Sequence, residues 1–174
     1  MNKKEKQQLS EIDICDLFIT PAIKEAGWDQ SRQIRREVTL TPGPVIVRGN
    51  MSSRNKKKSK RADYVLQREY GVPIAIVEAK DNTHSVSHGM QQALGYAGIL
   101  EVPSAFSSNG DGFASHNKIP ETGAEIESEF PLESFPSPTE LWQRYKNFRN
   151  IKESEEELIS QPYYLDTSGK EPRY

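Results

Sequence analysis

The sequence predicts an α/β fold, a mixed β-sheet flanked by helices, and three observations carry that expectation. Residues 61–80, RADYVLQREYGVPIAIVEAK, set two apolar, β-branched runs (Tyr64-Val65-Leu66 and Ile74-Ala75-Ile76-Val77) on either side of a polar segment holding Gly71 and Pro73, the pattern of a strand, a turn and a strand. Residues 9–27 repeat apolar positions at helical spacing (Ile12, Cys15, Ile19, Ala22 or Ile23, Ala26) and close on Gly27. A second helical stretch running to about Leu100 is followed by the strand-like run Val102 to Ser107, so helices and strands alternate after the hairpin.

In chain order, Pro21 should divide or kink the first helix, with Thr20 capping its second piece. Glu11, in its first turn, complements the helix dipole. Gln33 to Leu40 alternates polar and apolar residues and Val45-Ile46-Val47 is a short apolar run, so one or two strands precede the hairpin, joined by a turn at Thr41-Pro42-Gly43-Pro44. Glu37 reads as an exposed strand residue or as a secondary acidic contributor. Arg48 to Arg61 holds Arg48, Arg54, Lys56, Lys57, Lys58, Lys60 and Arg61 and no acid. It is either a solvated loop or a surface for phosphates, with Lys56, Lys57, Lys58, Lys60 and Arg61 as candidate DNA contacts.

A hairpin symmetric about the Tyr70-Gly71 bond would pair Leu66 with Ala75, Tyr64 with Val77 and Asp63 with Glu78. Directly opposed strand residues share a face at about 4.5–5.5 Å between Cβ atoms, and alternation puts Ile74, Ile76, Glu78 and Lys80 in one row. Two carboxylates that close raise each other's pKa unless a cation lies between them. Their hard oxygens suit Mg²⁺, which takes one or two carboxylates and keeps several waters. The chemistry that follows is metal-assisted phosphodiester hydrolysis, with Asp63 and Glu78 as metal ligands and Lys80 serving the attacking water or the phosphate. A plain surface hairpin with solvated charges is the alternative, weakened because the charges continue an apolar row.

Ser85 or Ser87 can cap the next helix, on which Gln92 and Tyr96 stand four residues apart and so share a face. Asn109-Gly110-Asp111-Gly112 reads as a tight turn after the 102–107 strand. From Pro120 the composition changes: Glu121, Glu125, Glu127, Glu129, Glu133, Glu140, Glu153, Glu155, Glu156 and Glu157 face few basic residues. Within this stretch Ser137, Pro138 and Glu140 mark a helix start with a capping box, and Leu141, Trp142, Tyr145 and Phe148 form one stripe. The domain reading is therefore a core over 1–119 and an acidic linker and helical arm over 120–174.

Ala62-Asp63-Tyr64-Val65-Leu66, Val77-Glu78-Ala79-Lys80 and Gln92-Ala93-Leu94-Gly95-Tyr96-Ala97 together resemble the N-terminal PD-(D/E)XK nuclease domain of the type I restriction enzyme R (restriction) subunit. That pattern is an Asp, a Glu-x-Lys and a downstream Gln-xxx-Tyr, with Ala62 standing where the superfamily's name has Pro. The resemblance implies a restriction-endonuclease-like mixed sheet and ATP-dependent cleavage of double-stranded DNA in a complex with methylation (M) and specificity (S) subunits. It also implies Mg²⁺, for which Mn²⁺ can substitute, on Asp63, Glu78 and the Ala79 carbonyl, with Lys80, Gln92 and Tyr96 completing the catalytic set. Glu11 matches an acidic residue that reaches the metal from the first helix. The closing Pro172-Arg173-Tyr174 resembles the entry to the helicase motor, and no Walker-type Gly-x-x-x-x-Gly-Lys-[Ser/Thr] occurs, so ATP would act only through a motor outside this chain. Two rivals stay open, a non-catalytic docking module built on the aromatic stripe and acidic arm, and a repair nuclease of the same superfamily.

The 174 residues suit one domain with an appended arm. A mean hydropathy of -0.75, no run near the roughly 18 apolar residues of a membrane span, and a start (MNKKEKQQLSEID) without a signal-peptide core point to a cytoplasmic protein with no membrane partner. The single Cys15 excludes an internal disulfide and a cysteine zinc site, and His84, His88 and His116 lack metal-ligand spacing. Net charge is -2, so DNA affinity must come from local patches.

Overall fold

A computed structural model of the chain describes residues 2–40, 45–48, 51–54, 60–68, 71–120 and 125–159. The order is α1 (Lys3–Lys6), α2 (Glu11–Ile14), a π turn (Cys15–Ile19), α3 (Thr20–Glu25), β1 (Ile34–Leu40), β2 (Val45–Arg48), β3 (Met51–Arg54), β4 (Lys60–Gln67), β5 (Pro73–Ala79) and α4 (Met90–Leu100). There follow β6 (Ser104–Ser108), β7 (Gly112–Asn117), β8 (Glu127–Pro131), a 3₁₀ turn (Leu132–Ser134), α5 (Pro138–Arg149) and α6 (Glu153–Ile159). Among the described residues the main sheet has six strands in the order β1-β4-β5-β6-β7-β8, and β2 and β3 form a separate ribbon. Only β5 and β6 run parallel, α4 making the crossover between them, so the sheet is mixed.

Each face of this sheet is covered. On one side Tyr64, Leu66, Ala75, Val77, Phe106 and Phe113 pack with Ile14, Ile19 and Ile23 of the N-terminal helices and with Leu141 and Trp142 of α5. On the other, Val65, Ile76, Ala105 and Ala114 pack with Met90, Ala93, Tyr96 and Ala97 of α4. Side chains buried on both sides explain why β4 and β5 read as nearly continuous apolar runs.

The first helix departs from the sequence expectation. It is not divided at Pro21, and Thr20 does not cap. Instead the chain widens into a π turn, with the Thr20 N–H donating to the Cys15 carbonyl five residues back. A proline lacks an N–H and crowds the carbonyl four residues before it, and one wide turn relieves both conflicts while the chain stays helical. The Thr20 hydroxyl lies 2.9 Å from the buried Tyr64 hydroxyl, which donates to the Cys15 carbonyl at 3.3 Å and so ties the wide turn to β4. Burial holds the Cys15 thiol up at about 11.

The hairpin register is observed as Tyr64 with Val77, Val65 with Ile76 and Leu66 with Ala75. Symmetry fails nearer the turn, where Gln67 pairs with Pro73 and leaves Ile74 as the extra residue of a bulge. Ile74 consequently joins the first core and Ile76 the second, so the single row expected from Ile74 to Lys80 does not exist. Helix α4 begins at Met90 behind Gly89 with no side-chain cap, the Ser85–Ser87 segment forming turns instead.

Beyond residue 120 the chain rejoins the sheet. Strand β8 pairs with β7 through Phe113 and Phe130, and α5 starts with the Ser137–Glu140 capping box. The aromatic stripe is used in packing: Leu141 and Trp142 are buried, and Tyr145 stacks on Trp142 with ring centroids 5.5 Å apart. Helix α6 is tied back by Glu156, which accepts from Trp142 Nε1 (2.6 Å) and Lys146 Nζ (2.7 Å) and pairs with Arg68 at 3.4 Å. The turn at 41–44 and the tail from 160 onward lie outside the described residues. No helix among the described residues is long and apolar enough to cross a membrane.

Candidate active site

The hairpin carries three charged residues to one place. One step beyond the Tyr64–Val77 pair the register sets Asp63 opposite Glu78, and Asp63 Oδ2 accepts from the Ala79 N–H at 2.8 Å. Lys80, just past the end of β5, donates through Nζ to the Ala79 carbonyl (2.7 Å) and to Glu78 Oε1 (3.2 Å). Its main-chain N–H donates to the Ser108 carbonyl at 2.8 Å, so the backbone beneath the ammonium continues the parallel β5–β6 ladder.

Glu78 is the unusual member. It is 1% exposed, and its Oε2 finds no hydrogen-bond partner among the described residues. Burial, then the charge of Asp63, pushes its carboxyl up to about 8 against the pull of Lys80. A buried acceptor without a donor costs about 1–3 kcal/mol, more if charged, so this oxygen needs an external partner once Glu78 ionises, whereas the protonated carboxyl shares a hydrogen bond with Asp63 that helps to raise its pKa.

Glu11 reaches the same place from the first turn of α2, its Oε2 3.7 Å from Lys80 Nζ. Partial burial raises its pKa, Lys80 opposes that, and Asp63 and Asp81 reinforce it. At Lys80 burial works against the charged form, but Glu78 and Glu11 outweigh it and the ammonium is held above its ordinary pKa.

Helix α4 supplies the roof. Gln92 Nε2 donates to the Tyr96 hydroxyl at 2.8 Å, and the Tyr96 pKa is raised by burial, with Glu78 and Asp63 adding to the effect. Lys60 Nζ lies 5.8 Å from the centre of the Tyr96 ring, while Arg61 pairs with Glu37 on β1. Lys56, Lys57 and Lys58 lie outside the described residues.

Sequence reasoning did not single out Gly89 or Ser107. The Gly89 N–H donates to the Ser107 hydroxyl at 3.0 Å, and a Cβ on Gly89 would stand 2.9 Å from Ser107 Oγ and 3.0 Å from Glu78 Cγ. Glycine is what lets α4 begin directly against the Glu78 stem. The Asn82 amide donates to the Asn109 carbonyl (3.0 Å) and the Asn109 amide to the His84 carbonyl (2.7 Å), pinning the loop after Lys80 to the β6–β7 turn. A turn-forming Asn in each segment was the one available hint.

Among the described residues no three His, Cys, Asp or Glu side chains gather closely enough to enclose an ion unaided. Two carboxylates, one with a free buried oxygen, and a main-chain carbonyl form instead a sparse oxygen set. That is the set expected for a cation that keeps most of its water, as Mg²⁺ does.

An α/β chain with a mixed sheet and paired acids beside a lysine is thus the class of protein in hand. No family model matches the sequence. The chain is 45% identical over 166 residues, 95% of its length, to the type I restriction enzyme EcoAI endonuclease subunit of Escherichia coli, of which it covers 20%. A solved fragment assigned as an HsdR subunit of a type I restriction enzyme from Vibrio vulnificus superposes with a TM-score of 0.70 at 36% identity, covering 90% of this chain and 29% of that one. This chain is accordingly a homologue of the type I restriction enzyme endonuclease (HsdR) subunit, and it spans about a fifth of the length of the curated relative it matches.

Proposed function

We propose that the chain is a Mg²⁺-dependent nuclease domain of the PD-(D/E)XK type, hydrolysing DNA phosphodiester bonds as part of a type I restriction enzyme. The observation that carries this is the buried Glu78 carboxylate, set opposite Asp63 and beside Lys80, with one oxygen unpartnered. Asp63, Glu78 and the Ala79 carbonyl would hold the ion. When bound, Mg²⁺ supplies Lewis-acid polarisation of the phosphoryl group.

The protein's own groups do the rest. Lys80, kept protonated by Glu78 and Glu11, orients the attacking water or holds the phosphate. Glu11, ion-paired to that ammonium, fixes where it stands. Gln92 and Tyr96, bonded to each other on α4, position the strand to be cut. Lys60 and Arg61, with Lys56, Lys57 and Lys58 of the preceding segment, supply phosphate contacts. Methylation and specificity subunits and an ATP-driven motor belong to the wider assembly of this reading. The docking-module alternative is weakened by the burial of Leu141 and Trp142, and likeness to restriction subunits favours restriction over repair.

The test combines binding with cleavage. The full chain should take up Mn²⁺, detected by calorimetry, while Asp63→Asn and Glu78→Gln should lose that binding. In the assembled enzyme either change, or Lys80→Ala, should lower cleavage by at least about a hundredfold. Undiminished cleavage by any of the three would remove that residue from the site.

A further inference from the structure

Strand β1 contains a glutamate in a backbone conformation that favours glycine. Glu37 has φ 55°, in the left-handed region, in the middle of a strand. On either side the pairing is regular: Arg36 with Tyr64 and Val38 with Ala62, so the register sets Glu37 opposite Asp63. No residue is inserted, yet the faces exchange. Ile34 and Tyr64 belong to the core under the N-terminal helices, whereas Leu40 and Ala62, in the same alternation, belong to the core under α4, with Val38 packed against it. The ribbon therefore turns over at the Glu37–Asp63 level. That turn carries Lys60 to the Tyr96 ring and brings Arg61, two residues before Asp63, to the Glu37 carboxylate.

Glycine would make this turn without strain, and glutamate adds only a carboxylate. That carboxylate is spent on Arg61, in an ion pair whose partners are both more than half exposed, 59% for Arg61 and 54% for Glu37. Exposed pairs of this kind contribute little and exchange readily. A phosphodiester offers the guanidinium a planar, bidentate alternative of the same charge.

We propose that Glu37 is a positioning residue that holds Arg61 on the edge of the β1–β4 pair and yields it to a DNA phosphate, so that Glu37 sets the affinity of this edge for the DNA backbone. This rests on the reading of the site as a nuclease.

The experiment measures binding of a fluorescent 20-base-pair duplex to the full chain by anisotropy, in EDTA and at fixed salt, so that metal occupancy plays no part. Glu37→Gly keeps the backbone geometry and removes the carboxylate, and it should bind roughly two- to fivefold tighter than wild type with no loss of melting temperature. Arg61→Ala should bind more weakly, and adding Glu37→Gly to it should change nothing. Equal affinity of Glu37→Gly and wild type overturns the proposal while leaving the nuclease reading intact. A gain that persists in the Arg61→Ala background also overturns it, because the effect is then general charge removal. Absence of duplex binding by wild type sinks this proposal and DNA binding by the isolated site together, whereas Mn²⁺ uptake tests the metal reading separately.

Discussion

Glu78 is where the chemistry of one side chain decides most. Its folded-state pKa of about 8 lies above the ordinary 4.5, so between these values the folded chain holds a proton that the unfolded chain releases. Stability from this group is therefore fully present below about pH 4.5 and is lost as pH rises through about 8. Without divalent metal, wild-type melting temperature should fall from pH 5 to pH 8.5 more steeply than that of Glu78→Gln, whose amide does not titrate. Mn²⁺ should recover the difference at pH 8.5 for wild type only. Parallel melting curves for the two proteins across that range would show that Glu78 is not held protonated.

Secondary-structure elements carry different demands on glycine, and α4 shows both. Gly89 starts the helix against Glu78 and Ser107, so Gly89→Ala meets atoms at 2.9 and 3.0 Å and should cost about 1–3 kcal/mol in chemical denaturation, with weakened Mn²⁺ binding as the Glu78 stem moves. Gly98 lies on the exposed side of the same helix with nothing within 4 Å of a new Cβ, so Gly98→Ala should stabilise by about 1 kcal/mol. The two outcomes have opposite signs within one helix, and equal effects would contradict the placement of α4. The π turn before α3 makes a similar point about Pro21. A proline read along the sequence predicts a break or a kink, and a helix backed by Tyr64 and the first core meets it with a widened turn.

For the molecule as a whole, the basic charge is concentrated ahead of Asp63 and the acid beyond residue 120, with a net charge of only -2. Association with DNA should accordingly depend on the 48–61 segment. Replacing Lys56, Lys57 and Lys58 together by Gln should weaken duplex binding and lower the slope of log affinity against log salt by up to about 3. An unchanged slope would assign those lysines to solvent.

Much of this protein could be read from order along the chain. The register expected from symmetry about the Tyr70-Gly71 bond is the one observed at Tyr64–Val77 and Leu66–Ala75, although both strands are apolar on each face and carry no alternation that would fix it. The same register brings Asp63, Glu78 and Lys80 together, and the spacing of Gln92 and Tyr96 places them on one helix face. Ser137, Pro138 and Glu140 specify the start of α5 by purely local hydrogen bonding. Only the tertiary structure decided that Glu78 is buried with an unpartnered oxygen, that Glu11 reaches Lys80 across the fold, that Ile74 leaves its row, and that the β1–β4 ribbon turns over at Glu37. Periodicity records which neighbours alternate within a segment, whereas burial, desolvation and a left-handed backbone residue arise from what other segments press against it.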